Sequence, residues 1–187
     1  EEGKDKGDVI LLLDSTVLPD KKGGYVLEAA GSRITIKAST PEGVFNGVQT
    51  LRQIIKEREG RLTVQKALVT DYPAFSWRAF MLDEGRYFKG KEVVLNLLDR
   101  MAELKMNVFH WHLTENQAWR LESKIFPMLN DSCNMSRMPG KYYTIEEAKE
   151  LVRFCKEHNV LLIPEVDMPG HSAAFIRAFR HDMQSKE

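Results

Sequence analysis

The chain has 187 residues, enough for one or two domains with a real core. Hydrophobic residues at 43% and charged residues at 29% are ordinary for a globular protein. The 27 Lys and Arg balance the 27 Asp and Glu, which argues against a nucleic-acid surface, and no apolar run approaches the roughly 20 residues of a membrane span.

The opening Glu1-Glu-Gly-Lys-Asp-Lys6 is polar and has no signal-peptide pattern. Val9-Ile-Leu-Leu-Leu13 reads as a short buried strand, and Asp20-Lys-Lys-Gly-Gly24 as a turn. Residues 25–29 and 33–37 read as strands of a hairpin around Ala30-Gly31-Ser32. Thr40-Pro41 opens a helix, with Thr40 as cap and Pro41 in the first turn; Val44, Val48, Leu51 and Ile55 share one face of it. The charged Lys56-Glu-Arg-Glu59 reads as the solvated helix end, Gly60 ends the segment, and 62–69 reads as a further strand. This is a small α+β arrangement, a sheet with a helix on one face.

Asp71-Tyr-Pro73 breaks the pattern and places a domain boundary between 1–72 and 73–187. Beyond it strands and helices alternate. Strands are predicted at 79–83, 107–113 and 160–167, the last almost wholly apolar up to Glu165, as in a parallel strand covered on both sides. Helices are predicted at 91–105, with Val94, Leu97, Leu98 and Met101 on one face, and after the capping box Thr144-Ile-Glu-Glu147, with Ile145, Ala148, Val152 and Cys155 as the buried stripe. Met101, Leu104 and Met106 are predicted core. A third helix begins near Ser172, and 121–142 is a long irregular excursion. Cys133 and Cys155 give no disulfide framework; Cys155 reads as an inert core thiol. Parallel strands with ionisable groups at their C-terminal ends fit the first three units of a (β/α)8 barrel, whose full circuit takes about 250 residues.

Five blocks carry a resemblance. Trp77-Arg-Ala-Phe-Met-Leu-Asp83, Gly85-Arg86-Tyr-Phe88, His110-Trp-His-Leu-Thr-Glu115, Gln117-Ala-Trp-Arg120 and Ile163-Pro-Glu-Val-Asp-Met-Pro-Gly-His171, in this spacing, resemble the family 20 glycoside hydrolases, the β-N-acetylhexosaminidases. The resemblance implies an α/β protein: a small α+β domain followed by a TIM-type (β/α)8 barrel. It implies release of terminal β-linked N-acetylglucosamine or N-acetylgalactosamine from glycans with retention. In this family the sugar's own 2-acetamido oxygen attacks the anomeric carbon, so no cofactor and no metal are expected. An Asp-Glu pair in a His-x-Gly-Gly-Asp-Glu motif would orient the acetamido group and supply the general acid. No such motif occurs in the 187 residues, and the chain by itself is expected to be inactive. An exported location is the expectation from the resemblance. Three positions depart from the family pattern: Glu115-Asn116 where an Asp pair is common, Ala118 where Gly is usual, and Ala79 after Arg78 where Gly is usual. Asn116 cannot carry negative charge, which leaves open a non-catalytic carbohydrate-binding or scaffold relative.

By the same resemblance Arg86 binds substrate, and Asp167 and His171 act behind the acid; Glu115 can still accept a sugar hydrogen bond with a longer arm, and Trp119 is a candidate substrate-binding ring. The planar five-donor fork of Arg86 suits two neighbouring sugar hydroxyls; the alternative is a local ion pair with Asp83 or Glu84. Asp167 and His171 bracket a Met-Pro-Gly turn that could bring the carboxylate to the ring and fix its tautomer; the alternative is a turn-capping Asp and a structural His. Glu165 shares strand parity with Asp167, and a buried carboxylate needs partners, for which His110 and His112 are the candidates. His-x-His at a strand end is also a two-ligand metal pattern, so a metal-dependent barrel hydrolase is a rival. Trp111, of opposite parity to the two histidines, should pack outward against helices, whereas Trp77 and Trp119 could stack on a sugar. Without a fourth strand beside it, the third strand leaves an apolar edge at which two copies of the chain could associate.

Overall fold

The computed structural model describes residues 9–184, with side chains described through residue 180; the polar segment 1–6 lies outside the described residues. The chain forms an α/β fold that divides into two compact units, Glu1–Arg78 with Glu103–Lys105, and Ala79–Ala102 with Met106–Glu187.

In the first unit, β1 (Val9–Leu13) runs parallel to β3 (Arg33–Ala38), which pairs antiparallel with β2 (Tyr25–Ala30), and β2 pairs antiparallel with β6 (Ala67–Asp71). Helix α1 (Pro41–Ile54) covers one face, and Thr40 caps it through a bond from Gly43 N at 3.2 Å. Tyr25, Leu27, Ile36, Ala38 and Leu51 are buried beneath it, with Val44, Val48 and Ile55 packed around them. A β-carbon on Gly43 would meet Gly24 O at 2.2 Å, so only glycine lets the helix seat this closely. The strand predicted over 62–69 is instead two, β5 (Arg61–Thr63) and β6, with 64–66 between them outside any strand. β5 pairs with β4 (Lys56–Arg58) as a short hairpin around Glu59 and Gly60, both of positive φ. The charged run 56–59 is therefore a strand and a turn rather than the end of a helix. It remains exposed, which is what its charges require.

In the second unit, β7 (Ala79–Asp83), β8 (Val108–His112) and β9 (Leu161–Glu165) form one parallel sheet in that order. Helix α2 (Lys91–Glu103) links β7 to β8, and α3 (Ile145–Glu157) precedes β9. Both end with a residue in the left-handed conformation, Lys105 and Asn159, and a bond that spans the last turn, from Met106 N to Met101 O and from Val160 N to Cys155 O, each 2.8 Å. The capping box at Thr144 and Glu147 is formed. Val94, Leu98, Met101, Phe109, Trp111, Leu113, Tyr143, Leu151 and Cys155 are buried together. Trp111 is buried in this cluster with residues of α2 and α3, its ring 4.8 Å from that of Tyr143.

Four core expectations are corrected. β1 is an edge strand and not a buried one, with Val9, Leu11 and Leu13 exposed. Leu104 is 70% exposed, because α2 has already ended and the chain turns at Lys105. The α3 stripe runs through Leu151 and Cys155, leaving Val152 exposed on its flank. β9 is not covered on both sides; it is the outer strand of the sheet, and Leu161 is exposed. Helix α4 (Ala173–Gln184) follows β9. Among the described residues no helix is long and apolar enough to cross a membrane.

Candidate active site

Parallel pairing puts the three C-terminal strand ends on one rim, and the register sets Asp83 beside His112 and His112 beside Glu165. The residues that follow each strand end converge there. Arg86 spreads its guanidinium between two carboxylates: Nη1 pairs with Asp83, and Nη2 donates to Glu115 Oε1 at 2.6 Å. Its backbone N–H donates to Asp83 Oδ1 at 2.9 Å. The local ion pair and the reach toward Glu115 thus coexist. Partial burial works to raise the Asp83 carboxyl pKa, but the backbone and side-chain bonds from Arg86 prevail and hold it below the ordinary value.

Glu115 is buried to 1% exposure, and both of its oxygens have partners. It takes Arg86, the backbone N–H of Asn116, and the Nδ1 atom of His171. This corrects the pairing expected from the sequence: the His171 ring is held by Glu115, 56 positions away in the chain, and not by Asp167 across the Met-Pro-Gly turn. The turn instead carries the ring back over the end of β8. Arg86 Nη2 lies 3.5 Å from the same Nδ1, so Arg86, Glu115 and His171 form one cluster. A β-carbon on Gly85 would stand 2.6 Å from Glu115 Cβ, so glycine is required beside Arg86 for this approach.

Asp167 stands next to this cluster. Its backbone N–H donates to Thr114 Oγ1 at 3.1 Å, and its carboxyl meets that of Glu165. Glu165 receives both histidines of the His-x-His pair, His110 at one oxygen and His112 Nδ1 at the other, the latter at 2.8 Å. Burial tends to raise the Glu165 pKa; the bonds from His112 and Asp167 and the nearby imidazoles outweigh it and lower it. His112, Glu165 and Asp167 offer three donor atoms within 4.8 Å of one another. As a metal site the set fits poorly. A ligating imidazole donates its second N–H to a partner, and the buried Nε2 of His112 has none. The group is better described as a network in which two imidazoles hold the two oxygens of one carboxylate.

Trp119 is half-buried, its ring centroid 6.2 Å from that of Phe175. Together with Glu115, Asp167, His171 and Phe175 it lines a cavity of about 290 Å³. Trp77, by contrast, lies in the first unit and is 59% exposed.

Arg120 closes the Gln117–Arg120 block and serves the scaffold. Its guanidinium is fully buried and donates to the carbonyls of Glu84, Gly85, Arg137, Met138 and Lys141. It thereby ties the loop that carries Arg86 to the 121–142 excursion. Glu84 is also buried and accepts from Lys89 N at 2.6 Å and the Tyr143 hydroxyl at 3.0 Å; burial pushes its carboxyl pKa above the ordinary value. A buried arginine is detectable in sequence only as an unexplained charge between Trp119 and Leu121.

Family comparison finds two matches: residues 75–186 match the catalytic domain of glycosyl hydrolase family 20, and residues 1–72 match domain 2 of the same family. A beta-hexosaminidase of Porphyromonas gingivalis is 37% identical over 92% of this chain and 24% of its own length. One from Vibrio furnissii is 33% identical over 96% of this chain and 32% of its own length. Among solved structures, a Vibrio harveyi exo beta-N-acetylglucosaminidase in complex with N-acetylglucosamine superposes with a TM-score of 0.86 at 30% identity, covering 95% of this chain and 30% of that one. The Streptomyces plicatus N-acetyl-beta-hexosaminidase superposes with a TM-score of 0.82 at 34% identity, over 94% and 37%. The chain thus spans about a quarter to a third of the length of the curated relatives named here.

Proposed function

Because the chain belongs to glycosyl hydrolase family 20, we propose that it is part of a retaining exo-β-N-acetylhexosaminidase acting on glycans with a terminal N-acetylhexosamine. In this reading 1–72 is the small preceding domain and 73–187 supplies the first three units of the barrel. The observation that carries the proposal is the convergence of Arg86, Glu115 and His171 at the ends of three parallel strands, the place where a barrel enzyme keeps its chemistry.

Each residue then has a part. Arg86 is half exposed while both arms of its fork are braced on carboxylates, so its orientation is fixed and its remaining N–H donors face solvent, ready for neighbouring sugar hydroxyls. Glu115 Oε2, whose bond in the folded chain comes from the Asn116 N–H, keeps a lone pair to accept a hydrogen bond from a hydroxyl of the same ring. Trp119 offers an apolar wall in the cavity. His171, held at Nδ1, and Asp167 stand beside the general acid. That acid gives its proton to the leaving oxygen as the substrate's acetamido oxygen bonds to the anomeric carbon and the glycosidic C–O bond breaks; water, losing its proton to the acid's carboxylate, then attacks that carbon from the opposite face, breaks its bond to the acetamido oxygen and completes retention. In this reading the Asp-Glu pair for the step lies in a His-x-Gly-Gly-Asp-Glu motif, which does not occur in the 187 residues.

Two measurements test the proposal. Titrating the chain with N-acetylglucosamine by NMR should move the signals of Arg86, Glu115 and His171 together, and Arg86→Ala should weaken binding about tenfold or more, the loss of a charged hydrogen-bonding group. The purified chain should not hydrolyse a chromogenic N-acetylglucosaminide. Sugar-induced shifts confined to other residues would defeat the site assignment, and turnover by the chain would show that the acid is present after all.

A further inference from the structure

We propose that Asn116 is the positioning residue that holds His171 in place. Helix α4 starts at Ala173, two residues beyond His171, and the N–H groups of a helix's first turn need acceptors from outside the helix. Ser172 precedes the helix and is the residue type that usually supplies one. Its hydroxyl is directed backward instead, to Pro169 O at 2.6 Å. The Ala173 N–H is met by a residue 57 positions away in the chain, donating to Asn116 Oδ1 at 3.2 Å. Asn116 is thus a cap supplied from another loop.

Its neighbour in sequence is Glu115, which takes the His171 ring. Two adjacent residues therefore grip the turn between β9 and α4 at two points, one on the imidazole and one on the backbone just past it. His171 needs such a grip. Its φ is +53°, the left-handed region that a residue with a β-carbon occupies only when its surroundings over-determine it. The role suits a neutral amide as well as a carboxylate, since what the helix terminus requires is an acceptor. The departure that leaves Asn116 without charge therefore leaves this function intact.

The position is separable from general folding. Arg177, one turn into α4, donates through Nη2 to the backbone carbonyls of Asn116 and Asn134, both at 2.8 Å. These anchors do not involve the Asn116 side chain, so removing the amide frees the first turn of α4 while the helix stays seated.

The inference takes its functional meaning from the sugar-site reading of His171, but its test does not depend on that reading. NMR of the whole chain follows two signals, the hydrogen exchange of the Ala173 amide and the ring resonances of His171. In Asn116→Ala, Ala173 should exchange about fivefold faster, the value of one helix cap expressed as an equilibrium constant. The His171 ring signals should move, while those of helix α3 stay in place. Asn116→Asp keeps an acceptor at the same reach and should restore both. His171 signals unchanged in Asn116→Ala, or Asn116→Asp indistinguishable from Asn116→Ala, would overturn the proposal. If Asn116→Ala does not fold, Asn116→Ser, whose arm is too short to reach, is read by the same two signals. Failure of the wild-type chain to bind N-acetylglucosamine would count against the sugar site and leave the Asn116–His171 result standing.

Discussion

Replacing Gly85 with alanine probes the tightest contact in the site. The new methyl carbon would lie 2.6 Å from Glu115 Cβ, 3.2 Å from Glu115 Cγ and 3.2 Å from the Thr114 carbonyl carbon, where carbon atoms prefer about 3.5–4.0 Å. Roughly an ångström must be found, and neither side yields easily. Glu115 is buried and pinned by Arg86 and His171. Gly85 donates to His112 O and accepts from Arg120 Nη2, both at 3.3 Å. Overpacking of this kind costs about 1–3 kcal/mol. At about 2–4 °C per kcal/mol for a chain of this size, the melting temperature should fall by on the order of 5 °C. Gly170→Ala is the control: no atom lies within 4 Å of its added carbon, so the substitution should be neutral or gain up to about 1 kcal/mol by restricting the unfolded chain. Thermal unfolding of both variants, followed by near-ultraviolet circular dichroism, decides. If Gly85→Ala melts with the wild type, the close seating of Glu115 on the β7 loop is wrong, and so is the reason given for glycine there.

Further outcomes are expected. The Glu165 pKa is lowered in the folded chain, so its contribution to stability is present above the unfolded carboxyl value of about 4.3 and disappears as pH falls through the folded value. Glu165→Gln should therefore be less stable than wild type at pH 7, with the gap closing below pH ~4. A gap of equal size at both ends in denaturant titrations would count against the His110–Glu165–His112 network as its source. Burial pushes the Cys155 thiol pKa up to about 12, while Cys133 is exposed. An aromatic disulfide reagent at pH 8 should thus label one thiol in the native chain and two in denaturant, and rapid labelling of both would contradict the buried position of Cys155. The outer position of β9, with Leu161 exposed, leads us to propose association of two copies at that edge. Sedimentation at micromolar concentration should show a dimer, and a clean monomer would end the idea.

Much of the secondary structure is decided locally and can be read from the chain. Thr40 with Pro41, and Thr144 with Glu147, mark helix starts because a cap needs partners only three residues away. The alternation in Val108–His112 tells Trp111 from its flanking histidines because a strand turns successive side chains to opposite faces. Local signals falter where an element ends. The hairpin at 56–63 and the exposure of Leu104 hinge on single residues of positive φ, Glu59, Gly60 and Lys105, two of which are not glycine.

The chemistry of the site is decided at longer range. Sequence motifs nominate Arg86, Glu115, Asp167 and His171, but proximity in the chain suggests the wrong partner for the histidine. Arg86 and His171 stand 85 residues apart, and only the parallel register of three strands brings their loops together. The same holds for Arg120, a charge with no visible purpose until five carbonyls from two segments close around it, and for Asn116, whose use lies in a helix that begins 57 residues later. A sequence pattern specifies groups whose partners lie within a turn or two. A buried ion or a remote cap takes its partner from wherever the packed chain delivers one, and that choice belongs to the tertiary structure.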